Sequence, residues 1–423
     1  MNHLEPNKGF FMLKCIHYFL TGRNPLFMKN KLFVATLISY LGIYITMPVL
    51  SAISTQAHLA PGQIGIMISL GAIAMLLFAP VWGRLSDKIG RKPVIVIGLI
   101  GMGLLFILYI ELFKLSIATS KTVAALVVCL IGARFLLGIF MTTAPTAANA
   151  YMADISSPEE RAKDMSSLGF ATGLSMVIGP IIGGCLSSIG TLALPFYVSI
   201  ILLILFGILM IFLLPNTKNN VATLESASKS TTSKKFLSFQ LFGWLVAGCS
   251  VMFVVVGLQL LTSLYLHDAI GQSIVQSAKT ASLLFVILGV SLMIIQIAQI
   301  KFFNWTAKQM MTRSILLIIL GLLLIVLTRD FILLLISYIV IGAGAGLGMS
   351  SLSAGASLVV SQDNQGSAAG AVAMTQGIAG IVSPLLGSFV YQINIKLPFI
   401  IFALFALFAY ILFLFSNKKE TTN

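Results

Sequence analysis

Charged residues are scarce in this chain of 423 amino acids, at 9% of the sequence against 58% hydrophobic residues. A soluble globular protein carries about 25% charged residues, so a single water-soluble core is excluded. Acidic residues are the scarcest, with 12 Asp and Glu against 26 Lys and Arg. The basic excess is scattered between long apolar runs instead of lying on one solvated face, which argues against nucleic-acid binding. We therefore predict a polytopic membrane protein.

Several chemical signatures are also absent from the sequence. The four cysteines show no C-x-x-C spacing, and the four histidines form no H-E-x-x-H pair, so no metal site or disulfide framework is indicated. No G-x-x-x-x-G-K-[ST] occurs, which excludes a nucleotide-binding engine of that type. No His or Asp lies within a span to activate a serine nucleophile. We predict a protein that is not an enzyme and that uses no metal, cofactor, ATP or nucleic acid.

Long apolar runs are the main feature that is present. A helix that crosses the hydrocarbon layer needs roughly 20 mostly apolar residues. Twelve runs meet this condition, at 32–53, 63–82, 94–113, 123–153, 165–189, 192–214, 240–266, 278–300, 314–328, 331–360, 367–389 and 397–415. The fold class is therefore an all-α membrane protein with twelve transmembrane helices.

The basic residues predict the orientation of these spans. If both termini are cytoplasmic, twenty Lys and Arg fall in inside segments and five in outside segments, and Arg134 alone lies within a span. Cytoplasmic loops carry an excess of Lys and Arg, so both termini are predicted to be cytoplasmic.

The chain divides into two halves around a polar segment. Residues 215–239 are rich in Ser, Thr and Lys and are predicted to be a cytoplasmic linker between bundles at 32–214 and 240–415, with a cytoplasmic tail at 416–423. Residues from Ser157 match residues from Ser361 without gaps, pairing Pro180 with Pro384. Such paired halves are typical of transporters. Residues 1–31 are predicted to be a cytoplasmic or interfacial extension, and residues 1–27 either lie on the membrane surface or have no role.

The loop after the second span, GRLSDKIGRKPVIV, carries the first family resemblance. It resembles the signature G-x-L-[ASG]-D-[RK]-x-G-R-[KR] of the major facilitator superfamily, with matches at Gly83, Asp87, Gly90 and Arg91. The resemblance implies two pseudo-symmetric six-helix bundles. It also implies a conformational lock in which Asp87 caps span eleven and Arg91 pairs with Asp154, and we expect these contacts to hold the cytoplasmic side closed.

Spans four and five extend the resemblance. ARFLLG contains the R-x-x-x-G element of the family, and YMADISSPEERAK resembles the exit of that helix in tetracycline and multidrug exporters. GPIIGG resembles the helix-packing motif of the antiporter branch, with Gly179, Pro180, Gly183 and Gly184. Ser175 stands where the family usually has a glycine. The resemblance implies a drug/proton antiporter, with H+ as the coupling ion.

Polar residues within the spans are the candidates for a central substrate cavity. Arg134 lies near the midplane, and a charge there costs at least ~2.5 kcal/mol, so a function is expected. Helical spacing places Gly138, Thr142, Pro145 and Asn149 on its side, and we expect this stripe to face the cavity. The alternative is a structural brace that binds backbone carbonyls. The candidate cavity residues are Arg134, Asn149, Gln259, Tyr40, Tyr44 and Gln376.

No acidic residue lies at mid-membrane, and the acids closest to a span centre are Glu111 and Asp268 near outer helix ends. Proton-driven exporters need a titratable group that exchanges protons with substrate. We therefore expect a weak or indirect dependence on the pH gradient and a neutral, zwitterionic or anionic cargo.

These observations lead to one functional prediction and two alternatives. The prediction is a monomeric secondary transporter of the bacterial inner membrane that exports a small molecule by alternating access within the lipid bilayer. The first alternative is an exporter or importer of an anionic metabolite such as a carboxylate siderophore. The second is a membrane receptor on the same fold that transports nothing.

Overall fold

The computed structural model describes residues 25–119, 123–157, 160–215, 238–303, 305–360 and 365–417, and in these ranges the regular structure is α-helical. The helices are α1 (Pro25–Gln56), α2 (Pro61–Ile89), α3 (Arg91–Ala118), α4 (Ala124–Met141), α5 (Thr143–Ile155), α6 (Arg161–Ile189), α7 (Leu194–Leu213), α8 (Phe239–Asp268), α9 (Ile274–Phe302), α10 (Ala307–Leu327), α11 (Phe331–Leu358), α12 (Gln365–Ile393) and α13 (Leu397–Ser416). Twelve stretches are long and apolar enough to cross a membrane, because α4 and α5 together make one span. The predicted fold class is confirmed.

Two helices begin several residues before the predicted starts of their spans. Helix α1 begins at Pro25, within the segment predicted to be an extension, and α10 begins at Ala307 and not at residue 314. At α10 the Thr306 hydroxyl accepts a hydrogen bond from the Gln309 amide, and the Gln309 side chain accepts one from the Thr306 amide. Such capping starts a helix in polar sequence that a count of apolar residues does not include.

The fourth span is broken, although the sequence predicts one helix over 123–153. Helix α4 ends at Met141 and α5 begins at Thr143. Pro145 has no amide hydrogen to donate to the Met141 carbonyl, and its ring clashes with that carbonyl in a straight helix. The expected stripe does not share one environment along its length, because Arg134, Gly138, Thr142 and Pro145 are buried and Asn149 is exposed.

The helices alternate in direction and form a bundle with two ends. We call the end where α1 begins and α13 ends the terminal end, and the other the distal end. Residues 1–24, most of the linker (216–237) and the tail from residue 418 lie outside the described residues. Helices α1 and α8 are the most buried spans and form the centre of the two halves. The sequence repeat falls on α6 and α12, the fifth span of each half, and places Pro180 and Pro384 inside those helices.

Candidate functional site

The two halves meet along α2 and α12. The Ser69 hydroxyl donates a hydrogen bond to the Ile381 carbonyl over 2.6 Å. One turn nearer the distal end, Gly65 lies so close to α12 that an added methyl group would overlap the Ser388 hydroxyl and would lie 2.6 Å from the Pro384 carbonyl oxygen. The glycine therefore permits a closer approach of these two helices than any larger residue would.

A second pair of crossings joins α6 to α9 and α1 to α8. An added methyl group at Gly184 would lie 2.5 Å from the Ser282 Cβ, and the Ser51 hydroxyl donates to the Leu260 carbonyl over 2.9 Å. Nearer the terminal end, Gly173 on α6 and Gly370 on α12 have open space around the position of a Cβ. Among the described residues, the contacts between the halves thus cluster toward the distal end. The described residues therefore close the bundle at the distal end.

A small cavity lies between the halves where these crossings end. It is lined by Met47, Pro48, Met176, Val177, Pro180, Val255, Gln259, Phe285, Leu288, Gly289 and Leu292. Among these residues, Gln259 has the only polar side chain. The lining is therefore apolar, with one amide that can donate and accept hydrogen bonds. Gln259 is the predicted cavity residue that the structure places in this lining.

The GPIIGG segment packs α6 against α1 and α9. Gly179 lies against Tyr44, Gly183 against the Ile45 carbonyl, and Gly184 against Ser282. Because these three glycines have no side chain at their contacts, the helices approach one another closely around the cavity.

Ser175, which departs from the family pattern, is buried in the same interface. Its hydroxyl lies 2.9 Å from the Leu37 carbonyl of α1 and 2.8 Å from the Ala171 carbonyl of its own helix. The serine therefore replaces a close glycine contact with a hydrogen bond between α6 and α1.

Arg134 lies inside the first half and does not line the described cavity. Its side chain is 3% exposed and packs against Gly71 of α2, where an added Cβ would lie 3.2 Å from the Arg134 Nε. Gly138 faces the same helix, close to the Gly71 carbonyl. Tyr109 of α3 lies near enough to interact electrostatically with the guanidinium, and its hydroxyl donates to the Met67 sulfur over 3.1 Å.

The Nε of Arg134 is buried and has no hydrogen-bond acceptor among the described residues. A brace would require bonds from the guanidinium to carbonyls of α1, and none is present in the described structure. A buried donor without an acceptor is destabilising by about 1–3 kcal/mol. The arrangement therefore leaves a donor free for a ligand, a water molecule or a second conformation.

The other four predicted cavity residues lie on three different helices. Tyr40 and Tyr44 are on α1, where their rings stack with centroids 6.4 Å apart, in the interface with α6. Asn149 on α5 and Gln376 on α12 are exposed. Gln376 precedes Gly377, which lies near Leu76 of α2, so it lies where the halves begin to separate.

The turn between α2 and α3 joins three helices of the first half. Gly90 has a φ of 99°, which a residue with a Cβ rarely adopts. Arg91 then donates from Nε to Asp154 on α5 over 2.8 Å and from Nη1 to the Ser86 hydroxyl over 2.7 Å. It also forms an ion pair with Asp87 one turn earlier. The pairing of Arg91 with Asp154 that the resemblance implies is present.

This pair lies within the first half, because α3 and α5 both belong to it, so the pair cannot by itself hold the two halves together. Asp87, which pairs with Arg91, is also 61% exposed and is the member of the expected lock that would have to reach α12. The N-terminal residues of span eleven lie partly outside the described residues, so the expected capping by Asp87 stays a prediction.

The two acids nearest the spans have local partners. Glu111 forms an ion pair with Lys114 over 2.7 Å, and Asp268 accepts a hydrogen bond from the Tyr391 hydroxyl over 2.9 Å. Neither residue lines the described cavity. No group of three or more metal-ligating side chains occurs in the described part of the chain.

Sequence reasoning missed Gly65, Ser69 and Ser388, which make the α2–α12 crossing. A signal for one of them was present, because the repeat aligns Ser388 with Gly184 of the packing motif. Both aligned positions contact the opposite half, Ser388 through Gly65 and Gly184 through Ser282. No sequence pattern indicated the partner helix α2.

Twelve spans in two halves, with a cavity between them and a basic turn after the second span, define a polytopic transporter fold. A family model described as Major Facilitator Superfamily matches residues 32–307 and 302–423. The chain belongs to the major facilitator superfamily, a family of membrane transporters.

Curated relatives include drug-resistance proteins. The chain is 25% identical over 364 residues to Multidrug resistance protein 1 of Bacillus subtilis (strain 168), covering 86% of this chain and 89% of that protein. It is 26% identical over 371 residues to the class H Tetracycline resistance protein of Pasteurella multocida, covering 85% and 88%. Over a shorter stretch of 189 residues, 44% of each chain, it is 33% identical to the class B Tetracycline resistance protein of Escherichia coli.

Solved structures have the same fold. A bacterial homologue of the human lysosomal transporter Spinster, in an inward-facing and occupied conformation, matches with a TM-score of 0.69 at 13% identity, covering 92% of this chain and 96% of that one. The nucleoside transporter NupG matches with a TM-score of 0.69 at 16% identity, covering 93% and 100%.

Proposed function

We propose that this protein is a secondary active transporter that exports a small molecule across the bacterial inner membrane by alternating access, in the manner of the drug antiporters. In this proposal the terminal end is cytoplasmic and so are both termini. The orientation is supported by the twenty basic residues in the segments of that side against five on the other.

One observation carries the proposal: the contacts between the halves lie toward the distal end. Ser69 with Ile381, Gly65 with Ser388 and Ser51 with Leu260 close that end, while Gly173 and Gly370 face open space. In the proposed orientation this arrangement is open toward the cytoplasm, where an exporter takes up its cargo. Separation at these crossings and closure at the other end would complete the cycle.

The cavity lining supports an uncharged, largely apolar cargo. Its described residues include no charged side chain, and Gln259 provides the single amide. A pocket of mostly apolar side chains with few polar groups is typical of small-molecule sites. The names of the relatives from Bacillus subtilis and Pasteurella multocida, which refer to multidrug and tetracycline resistance, agree with such a cargo.

A second candidate function is transport of an anionic metabolite, and Arg134 is the observation that favours it. Its guanidinium is buried, its Nε has no acceptor among the described residues, and no carboxylate pairs with it there. An anion that reaches α2 and α4 would satisfy that donor. This candidate requires the α2–α4 interface to open, because Arg134 lies outside the described cavity lining.

The test is efflux and uptake of a compound panel in cells with and without the gene. The panel contains uncharged aromatic drugs, lipophilic cations and carboxylate-rich anions, and the cells without the gene are the control. Export of uncharged drugs by the wild type alone supports the main proposal. Transport restricted to the anions supports the second candidate, and no difference for any compound in either direction contradicts both.

A further inference from the structure

A cluster of aromatic and basic side chains lies at the terminal end of the second half, where α9 ends and α10 begins. The rings of Phe303 and Trp305 stack with centroids 4.1 Å apart and planes 11° from parallel. The guanidinium carbon of Arg313 lies 4.0 Å from the centre of the Trp305 ring. Lys301, near the end of α9 and two residues before Phe303 in the chain, is exposed. We call Lys301, Phe303, Trp305 and Arg313 the Trp305 cluster.

The cluster lies at the edge of the surface that faces lipid. Along α10 the side chains of Leu316, Leu320, Leu323 and Leu327 are 44–80% exposed and follow one another at spacings of four, three and four residues. Arg313 precedes Leu316 by three residues and therefore lies on the same face of the helix. Its guanidinium thus lies at the terminal end of the apolar face of α10.

The basic groups of the two halves differ in how they are neutralised. In the first half, Arg91 pairs with Asp154 over 2.8 Å and Lys29 with Asp164 over 2.7 Å. In the second half, the described acids are Asp268 and Asp330, and both lie at the distal end. The described part of that half therefore has no carboxylate near the Trp305 cluster.

Arg313 also has an unused donor. Its Nη1 is buried and has no hydrogen-bond partner among the described residues. Lys308, the neighbouring basic residue on α10, is already engaged, because its Nζ donates to the Asn417 carbonyl over 2.8 Å. The unpaired donor therefore lies on Arg313, at the terminal end of the apolar face of α10, and a phosphate reaches this buried atom only when the guanidinium turns outward.

We propose that the Trp305 cluster binds the phosphate group of an anionic phospholipid in the cytoplasmic leaflet. In this proposal the lipid phosphate neutralises Arg313, as carboxylates neutralise Arg91 and Lys29 in the first half. A guanidinium offers parallel donors that match a phosphate, and a tryptophan ring is favoured at the membrane interface. The proposal uses the orientation given above but does not depend on the transported cargo.

The test uses Trp305 as the reporter. In a variant with Trp82→Phe and Trp244→Phe, Trp305 is the remaining tryptophan of the three in the chain. This variant is placed in phosphatidylcholine nanodiscs that contain a small fraction of headgroup-region spin-labelled phosphatidylglycerol or, separately, spin-labelled phosphatidylcholine. We expect the phosphatidylglycerol label to quench Trp305 at about five-fold lower concentration.

Two further variants locate the site. Arg313→Gln should abolish the preference for phosphatidylglycerol. Arg329→Gln removes one charge beyond the distal end of the same helix and should leave the preference intact. The proposal would be overturned by equal quenching by both lipids in the single-tryptophan variant that keeps Arg313. It would also be overturned by a preference for phosphatidylglycerol that survives Arg313→Gln. The source of the phosphate is tested in detergent, where unlabelled phosphatidylglycerol or inorganic phosphate is added and the Trp305 emission spectrum is recorded. A spectral change with inorganic phosphate as large as that with phosphatidylglycerol would assign the site to free phosphate and would overturn the lipid proposal.

A second measurement covers the case in which the single-tryptophan variant does not fold. Native mass spectrometry of the wild type and of Arg313→Gln, released from the same mixed-lipid nanodiscs, counts the phosphatidylglycerol molecules that stay bound. We expect at least one fewer on Arg313→Gln and an unchanged number on Arg329→Gln. The same number on all three proteins would refute the lipid site.

Discussion

Among glycine-to-alanine substitutions at the α2–α12 crossing, Gly65→Ala should disturb the closed distal end most. The new Cβ would overlap the Ser388 hydroxyl and would lie 2.6 Å from the Pro384 carbonyl oxygen. The hydroxyl can rotate away, but the carbonyl belongs to the helix backbone and can move only if α12 moves. We therefore expect the two helices to separate.

The magnitude follows from the cost of overpacking, about 1–3 kcal/mol for an added methylene in a tight contact. That cost applies to the state that is closed at the distal end and is absent from the state in which α2 and α12 are apart. The ratio of the two states should therefore shift by about 5-fold to 150-fold toward distal opening.

The shift can be measured as a distance. Spin labels at Thr191, before α7, and at Gln276, near the start of α9, report on the distal ends of the two halves, and both positions are exposed. In a cysteine-free background, Gly65→Ala should add or enlarge a population at longer distance. Transport should slow, because the cycle must return through the closed distal end.

The control is Gly132→Ala on α4, where an added Cβ meets no atom within 4 Å. This variant should keep the wild-type distance distribution and transport rate. Adding Ser388→Gly to Gly65→Ala removes the hydroxyl but not the carbonyl, so recovery should be partial. Identical distances and rates in Gly65→Ala and Gly132→Ala would show that this crossing does not determine which end is open.

Three further predictions concern the first half and the coupling step. Asp87→Asn should abolish transport while membrane insertion, measured by surface labelling, stays normal, because the variant keeps the shape but loses the anion that could cap span eleven; full transport would show that the carboxylate has no role. If the cargo is an anion that binds Arg134, Arg134→Lys and Arg134→Ala should both insert and lose transport, and substrate should raise the unfolding temperature of the wild type more than that of either variant; equal protection would assign Arg134 to the scaffold. In purified liposomes a protonophore should reduce transport only weakly, since the acids nearest the spans are engaged with Lys114 and Tyr391 outside the cavity lining, and complete loss would contradict this.

The composition and local patterns of the chain were sufficient for the fold class. Continuous apolar runs long enough to cross a membrane are a local property, because each backbone group of a membrane helix is satisfied within its own segment. The turn with Gly90 and Arg91 was recognised through its resemblance to a family signature, and the structure adds the positive φ of Gly90 and the ion pair between Asp87 and Arg91. Pro145 is a local signal for the break in the fourth span, but helical spacing placed it on a polar stripe, and the length of the apolar run predicted a continuous helix.

The site depended on residues that are far apart in the chain. Ser69 meets Ile381 across 312 residues, and no local pattern specifies which helix a small residue will face. Arg134 illustrates the same limit: helical spacing placed it on a polar stripe, but the packing of α4 against Gly71 turned its side chain into the first half and away from the cavity. Sequence alone determined that the chain spans the membrane twelve times in two related halves, because hydrocarbon selects for apolar length. Only the tertiary structure decided which small residues close the distal end and which polar groups reach the cavity, because those outcomes depend on how the faces of separate helices fit together.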